Sequence, residues 1–182
     1  MSVAMMGANS STNNRTSLVP PMTSNSQNGY TVSASSYYSS TEYPIWHAFD
    51  GNTIRGGWGE KSNGSTLYVG ASSRNVDVDI TFPKEVSVHY VKVIASTYTS
   101  GGVRQPASVS LSYCNESGSY VSVNINQIDA GESGTIGDYS GVTYHKSKKW
   151  RVTLARLDEY IGLNQIRSEE HTSELQSRQY LV

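Results

Sequence analysis

Val76-Asp77-Val78-Asp79-Ile80-Thr81-Phe82 alternates apolar with acidic or hydroxyl side chains without a break. Successive side chains of a strand point to opposite faces, so this run places Val76, Val78, Ile80 and Phe82 on one face and turns Asp77, Asp79 and Thr81 toward water. The same period recurs downstream. Val109, Leu111 and Tyr113 alternate with Ser108, Ser110 and Ser112, residues 115–118 supply turn chemistry, and Val121, Val123 and Ile125 resume the pattern. Two such runs around a short polar turn predict a hairpin. Further strands are expected over Tyr30–Ala34, 88–95, 142–145 and 150–154, separated by Gly-, Ser- and Asn-rich loops. No long helical pattern precedes residue 155. Six or seven short strands without intervening helices predict an all-β sandwich or barrel and argue against a parallel βαβ sheet.

The bulk composition agrees. A chain of 182 residues suits one domain with a core that needs no staples, and only 36% of it is hydrophobic and 16% charged. The net charge of -1 and the spread of Lys and Arg along the chain offer no basic stripe, so nucleic acid is not an expected partner. No stretch is apolar and long enough for membrane insertion. Cys114 is the sole cysteine, which excludes an intrachain disulfide and a thiolate metal cluster. Residues 1–19 are rich in Ser, Asn and Thr without periodicity and read as a flexible leader or linker, with Pro20 and Pro21 marking the start of order.

One constellation goes beyond fold class. Trp46-His47-Ala48-Phe49-Asp50-Gly51-Asn52 leads into Trp58. Next come Phe82-Pro83-Lys84, a run from Tyr90 to Ala95, Arg104-Gln105-Pro106, the hairpin, Trp150-Arg151-Val152 and finally Ile161-Gly162-Leu163-Asn164-Gln165-Ile166. In this order the motifs resemble the discoidin domain, also called the coagulation factor V/VIII type C domain, and above all its bacterial relatives, the family 32 carbohydrate-binding modules. The resemblance spans about residues 20–166. It implies an antiparallel jelly-roll β-sandwich of galactose-binding-domain-like topology that binds ligands on its end loops and performs no chemistry.

The resemblance also implies one cofactor, a structural calcium. The family holds it with the Asp and Asn of the DGN turn, a hydroxyl residue three positions after that Asn, and a Glu near the last strand. Asp50 and Asn52 match, and the backbone carbonyl of His47 is a further candidate ligand. Arg55 stands at the hydroxyl position and Gln165 at the Glu position. Calcium needs converging oxygens, and a guanidinium supplies none while repelling the ion. Either Arg55 pairs with Asp50 in place of the metal, or Arg55 faces solvent and Thr53 supplies the hydroxyl.

Sugars are held by flat aromatic faces and by planar polar groups that bond to hydroxyls. With 13 Tyr and 3 Trp the chain is well supplied. Tyr37 and Tyr38 before the DGN turn, and Tyr98 and Arg104 in the following long loop, fall where the family places its ligand loops, so these four are the expected ligand-binding residues. Asp129, Glu132 and Asp138 lie in a Gly-rich segment that reads as a loop, without the fixed, desolvated carboxylate pair a glycosidase requires. No nucleophile elbow, zincin or phosphate-loop motif occurs. The chain is therefore expected to bind rather than catalyse. The implied partner is a glycan or cell-surface polysaccharide and the implied setting a larger multidomain protein, extracellular, at the cell surface or on a virion. A receptor-binding or structural appendage of a phage tail or adhesin is the alternative.

After Ile166 the character changes. Residues 167–177, Arg-Ser-Glu-Glu-His-Thr-Ser-Glu-Leu-Gln-Ser, resemble the translation of a common short-read sequencing adapter. Residues 167–182 are accordingly read as a non-native tail, and the strand that closes the domain in the family is expected to be missing.

Overall fold

The computed structural model describes residues 17–37, 40–41, 43–51, 69–70, 75–95, 106–129, 135–140, 145–156, 160–161 and 163–169. In chain order the elements are β1 (Ser26–Gln27), β2 (Tyr30–Ala34), a 3-10 helix (Ile45–Phe49), β3 (Val69–Gly70), β4 (Asn75–Val86), β5 (Tyr90–Ala95) and β6 (Pro106–Cys114). They continue with β7 (Tyr120–Val123), β8 (Asn126–Asp129), β9 (Thr135–Ser140), β10 (Ser147–Arg156), β11 (Tyr160–Ile161) and β12 (Leu163–Glu169).

All the pairings are antiparallel. A six-stranded sheet runs β1-β2-β4-β10-β6-β7, a four-stranded sheet runs β12-β5-β9-β8, and β11 pairs with β3. The alternation read from the sequence sets which face packs. Val76, Val78, Ile80 and Phe82 of β4 are buried together with Val109 and Leu111 of β6 and Trp150, Val152 and Leu154 of β10. From the other sheet Val91 and Val93 of β5 and Leu163 and Ile166 of β12 join the same cluster. This is one sandwich core. Each such aliphatic or aromatic side chain stabilises by about 1.5–3 kcal/mol on burial.

The expected hairpin forms as β6–β7. Its turn is held by Asn115, whose Oδ1 accepts from Ser119 N at 2.9 Å and from Ser117 Oγ at 2.7 Å, while Gly118 N donates to Asn115 O at 3.0 Å. Val121 departs from expectation. It lies on β7, which among the described residues is the edge strand of its sheet, and is 37% exposed.

Three other expectations are corrected. The closing strand is present: residues 165–169 of β12 pair with Tyr90–Ile94 of β5, and Leu18 N donates to Ser168 O at 2.6 Å. Arg167, Ser168 and Glu169 complete it because ladder hydrogen bonds come from the backbone and because small Ser168 fits the inward position, where it is buried. Order also begins before Pro20, since Val19 is buried in the core and Leu18 packs against it. The Gly-rich segment read as a loop contains β8 and β9, whose register sets Asp129 opposite Asp138; Glu132 lies outside the described residues. Of the strand expected over 142–145, only His145 is described, and it is not in a strand.

Candidate functional site

Register shows which loops share an end of the sandwich. Ala155 pairs with Asn75, Arg156 with Pro106, and Ala34 with Val78 just inside Asn75. In the other sheet Leu163 pairs with Ala95. Only six residues join Arg156 to Leu163, so the two sheets meet at this end. The segment after Ala34 leaves from it, and the segment joining Ala95 to Pro106 has both its anchors there. These are the two segments that carry the expected ligand residues.

Tyr37 is the described member of that set. Ala34 N donates to Tyr37 Oη at 2.9 Å, and the half-buried ring packs against the core. Burial pushes its phenol pKa up, with the Ala34 bond pulling the other way. Tyr38, Tyr98 and Arg104 lie outside the described residues. Tyr43, from the same segment as Tyr37, is a core residue.

The Asp50 turn is built from the 3-10 helix. Trp46 N donates to Asn25 Oδ1 at 3.3 Å and Met22 N to Phe49 O at 2.9 Å, which ties both ends of the helix to the chain ahead of β2. The helix closes at Asp50, and Gly51 follows with φ +81°, a left-handed conformation that favours glycine. Trp46 and His47 meet edge to face at 4.0 Å between ring centres. His47 Nδ1 is buried without a hydrogen-bond partner. Burial lowers the His47 pKa, and the nearby Asp50 charge opposes that shift.

β12 packs against this helix and carries Gln165, which is only 3% exposed and whose Oε1 is buried without a partner. Calcium takes six to eight oxygen ligands, most of its charge being met by carboxylates. Among the described residues no three His, Cys, Asp or Glu converge, and Gln165 offers an amide carbonyl at the position where the resemblance implies a carboxylate. Asn52, Thr53 and Arg55 lie outside the described residues.

A second cluster, which the sequence reading passed over, lies on the outer face of the larger sheet. Arg151 of β10 bonds to Asp79 and pairs with Asp77, both on β4, and lies over the Tyr120 ring at 3.9 Å. The signal was the Asp77/Asp79 pair on one face of β4, but its partner is more than seventy residues away.

No protein-family model matches the chain, and no curated protein matches it. Solved structures do. The family 32 carbohydrate-binding module of Clostridium perfringens NanJ, solved in complex with galactose, superposes with a TM-score of 0.57 at 14% identity, over 78% of this chain and 94% of that one. The fold is that of family 32 carbohydrate-binding modules. A structure of the Streptococcus pneumoniae β-galactosidase BgaA matches with a TM-score of 0.65 at 12% identity over 85% of this chain and 98% of that one. Chitosan-binding module 1 of a Paenibacillus sp. IK-5 chitosanase/glucanase matches at 0.55, with 17% identity, over 78% and 96%.

Proposed function

We propose that this chain is a non-catalytic glycan-binding module, carried on a larger secreted or surface-exposed protein, with its ligand held at the sandwich end from which the Tyr37 and 96–105 segments leave. The observation that carries this reading is the convergence of strand ends Ala34, Ala95 and Pro106 at one end of a family 32 fold. Those ends bound the segments containing Tyr37, Tyr38, Tyr98 and Arg104, an aromatic and cationic set suited to sugar faces and hydroxyls. The NanJ module holds galactose on the same fold, which supports a sugar ligand here. Asp50 belongs to a turn that in this reading is held without calcium, with Arg55 pairing with Asp50.

The test is a glycan array with the wild-type protein and the Tyr38→Ala and Arg104→Ala variants. Discrete sugar signals that either substitution lowers by tenfold or more support the reading. An array without signal, from protein shown to be folded, overturns it.

A further inference from the structure

The lysines are spread along the sequence but not in space. Four of the six, Lys84, Lys146, Lys148 and Lys149, come together where β4 and β10 meet, at the end of the sandwich opposite the loop site. Lys149 pairs with Thr81 and Ser147 with Val86, and between these pairs the register shifts, so Lys84 and Lys148 both lie within one bulge. Lys146 adjoins it, held in place because the carbonyl of neighbouring His145 accepts from Ser87 Oγ at 3.0 Å. All four lysines are exposed, and none pairs with a carboxylate among the described residues.

Beside them the His145 ring stacks on Tyr113, with centres 4.3 Å apart and planes 11° apart, and His145 is exposed. Arg151 is excluded from the patch, since Asp77 and Asp79 neutralise it. The opposing carboxylates on this part of the larger sheet, among the described residues, are Glu85 and Glu116.

From this arrangement we infer that the chain has a second binding surface, formed by Lys84, Lys146, Lys148, Lys149 and the His145–Tyr113 stack, that takes an acidic polysaccharide. Unpaired ammonium groups are compact point charges that suit carboxylate or sulfate groups repeated along a flexible chain. The exposed His145 ring, stacked on Tyr113, sets a polar aromatic edge beside them. The glycan character of the ligand rests on the proposed binding role, whereas its charge rests on the lysines alone. Among the described residues the patch presents no free arginine fork for reading base edges, so any duplex DNA binding would be limited to phosphate contacts by the lysines.

The experiment is affinity electrophoresis of the whole chain through gels containing polygalacturonate, dextran sulfate or neutral dextran, at about 50 and 200 mM salt. Retardation is expected by one or both polyanions and not by dextran. It should weaken by roughly 50- to 150-fold across that salt range if all four lysines form ion pairs. The Lys84→Gln/Lys146→Gln/Lys148→Gln/Lys149→Gln variant, of unchanged Tm, should lose it, while Arg104→Ala should keep it. Polygalacturonate retardation alone assigns carboxylate, dextran sulfate alone assigns sulfate. Absence of retardation, retardation unaffected by the quadruple substitution, or tighter binding to duplex DNA or to anionic phospholipid vesicles at equal salt would overturn the inference. Loss through Arg104→Ala alone would also overturn it, by moving the polyanion to the loop site.

Discussion

Arg151 on β10 grips Asp79 on β4 through two parallel hydrogen bonds, Nε to Oδ1 at 2.6 Å and Nη2 to Oδ2 at 2.8 Å. Its third nitrogen, Nη1, lies 3.0 Å from Asp77 Oδ2, and Thr153 Oγ1 donates to Asp77 Oδ1 at 2.7 Å. Two aspartates on one face of β4 would otherwise repel each other beside the Tyr120 ring. The fork holds all three elements at once, and the network raises the Arg151 pKa further above its already high value, chiefly through the Asp79 bonds. Arg151→Lys keeps the charge but cannot make the bidentate bond or the flat stack, and should lower stability by about 1–2 kcal/mol. Chemical denaturation of the two proteins checks this, and equal midpoints would show that the network is only a solvated surface pair.

Trp150 is wholly buried, and its Nε1 donates to Val86 O at 3.2 Å and Ser147 O at 3.1 Å. Trp150→Phe should cost about 1–3 kcal/mol by stranding those carbonyls. Trp150→Ala should cost about 3–5 kcal/mol through the added cavity. The ranking is read from Tm.

Gly51 and Gly118 share a left-handed backbone, φ +81° and +83°, but not their surroundings. A Cβ on Gly51 would stand 3.1 Å from Pro21 Cγ, whereas one on Gly118 meets nothing within 4 Å. Gly118→Ala should therefore cost about 1 kcal/mol and Gly51→Ala about 2 kcal/mol or more. Equal losses would mean that the Pro21 contact relaxes freely.

His47 links stability to pH. Burial depresses its folded-state pKa below the ordinary 6.5, so on acidification the unfolded chain takes up the proton first. Its contribution is full above the unfolded value and declines as pH falls through that value toward the folded one. Tm measured from pH 8 to 5 should fall less steeply for His47→Gln than for wild type. Parallel curves would remove His47 from the pH response.

The Asp50 turn gives a metal test. With neutral Gln165 at the family's acid position, addition of calcium or of a chelator should leave Tm unchanged. Gln165→Glu should destabilise the protein in chelator, because it buries a charge at a position 3% exposed. A wild-type Tm that rises with calcium would refute a turn held by Arg55.

Much of this was legible in the sequence. The alternation of 76–82 and 108–113, the 115–118 turn and the Asp50-Gly51 turn all reappear, since strand direction and turn chemistry are decided within a few residues. The segments misread are those whose neighbours decide them. Residues 126–129 and 135–140 flank or carry Gly and polar residues that favour loops, yet they pair as β8 and β9 beside β5. Residues 167–169 lack a strand pattern, yet they continue β12 because β5 presents an unpaired backbone row.

By itself the sequence determined the all-β class, the inward faces of β4, β6 and β10 and the position of the turns, because the period-two pattern fixes which side chains need burial. Only the tertiary structure decided that Arg151 meets Asp77 and Asp79, that Lys84 joins the lysines of 146–149, and that the segments of Tyr37 and Arg104 leave from one end. Those encounters depend on register between strands distant in the chain, which is set when both sheets bury their faces against each other.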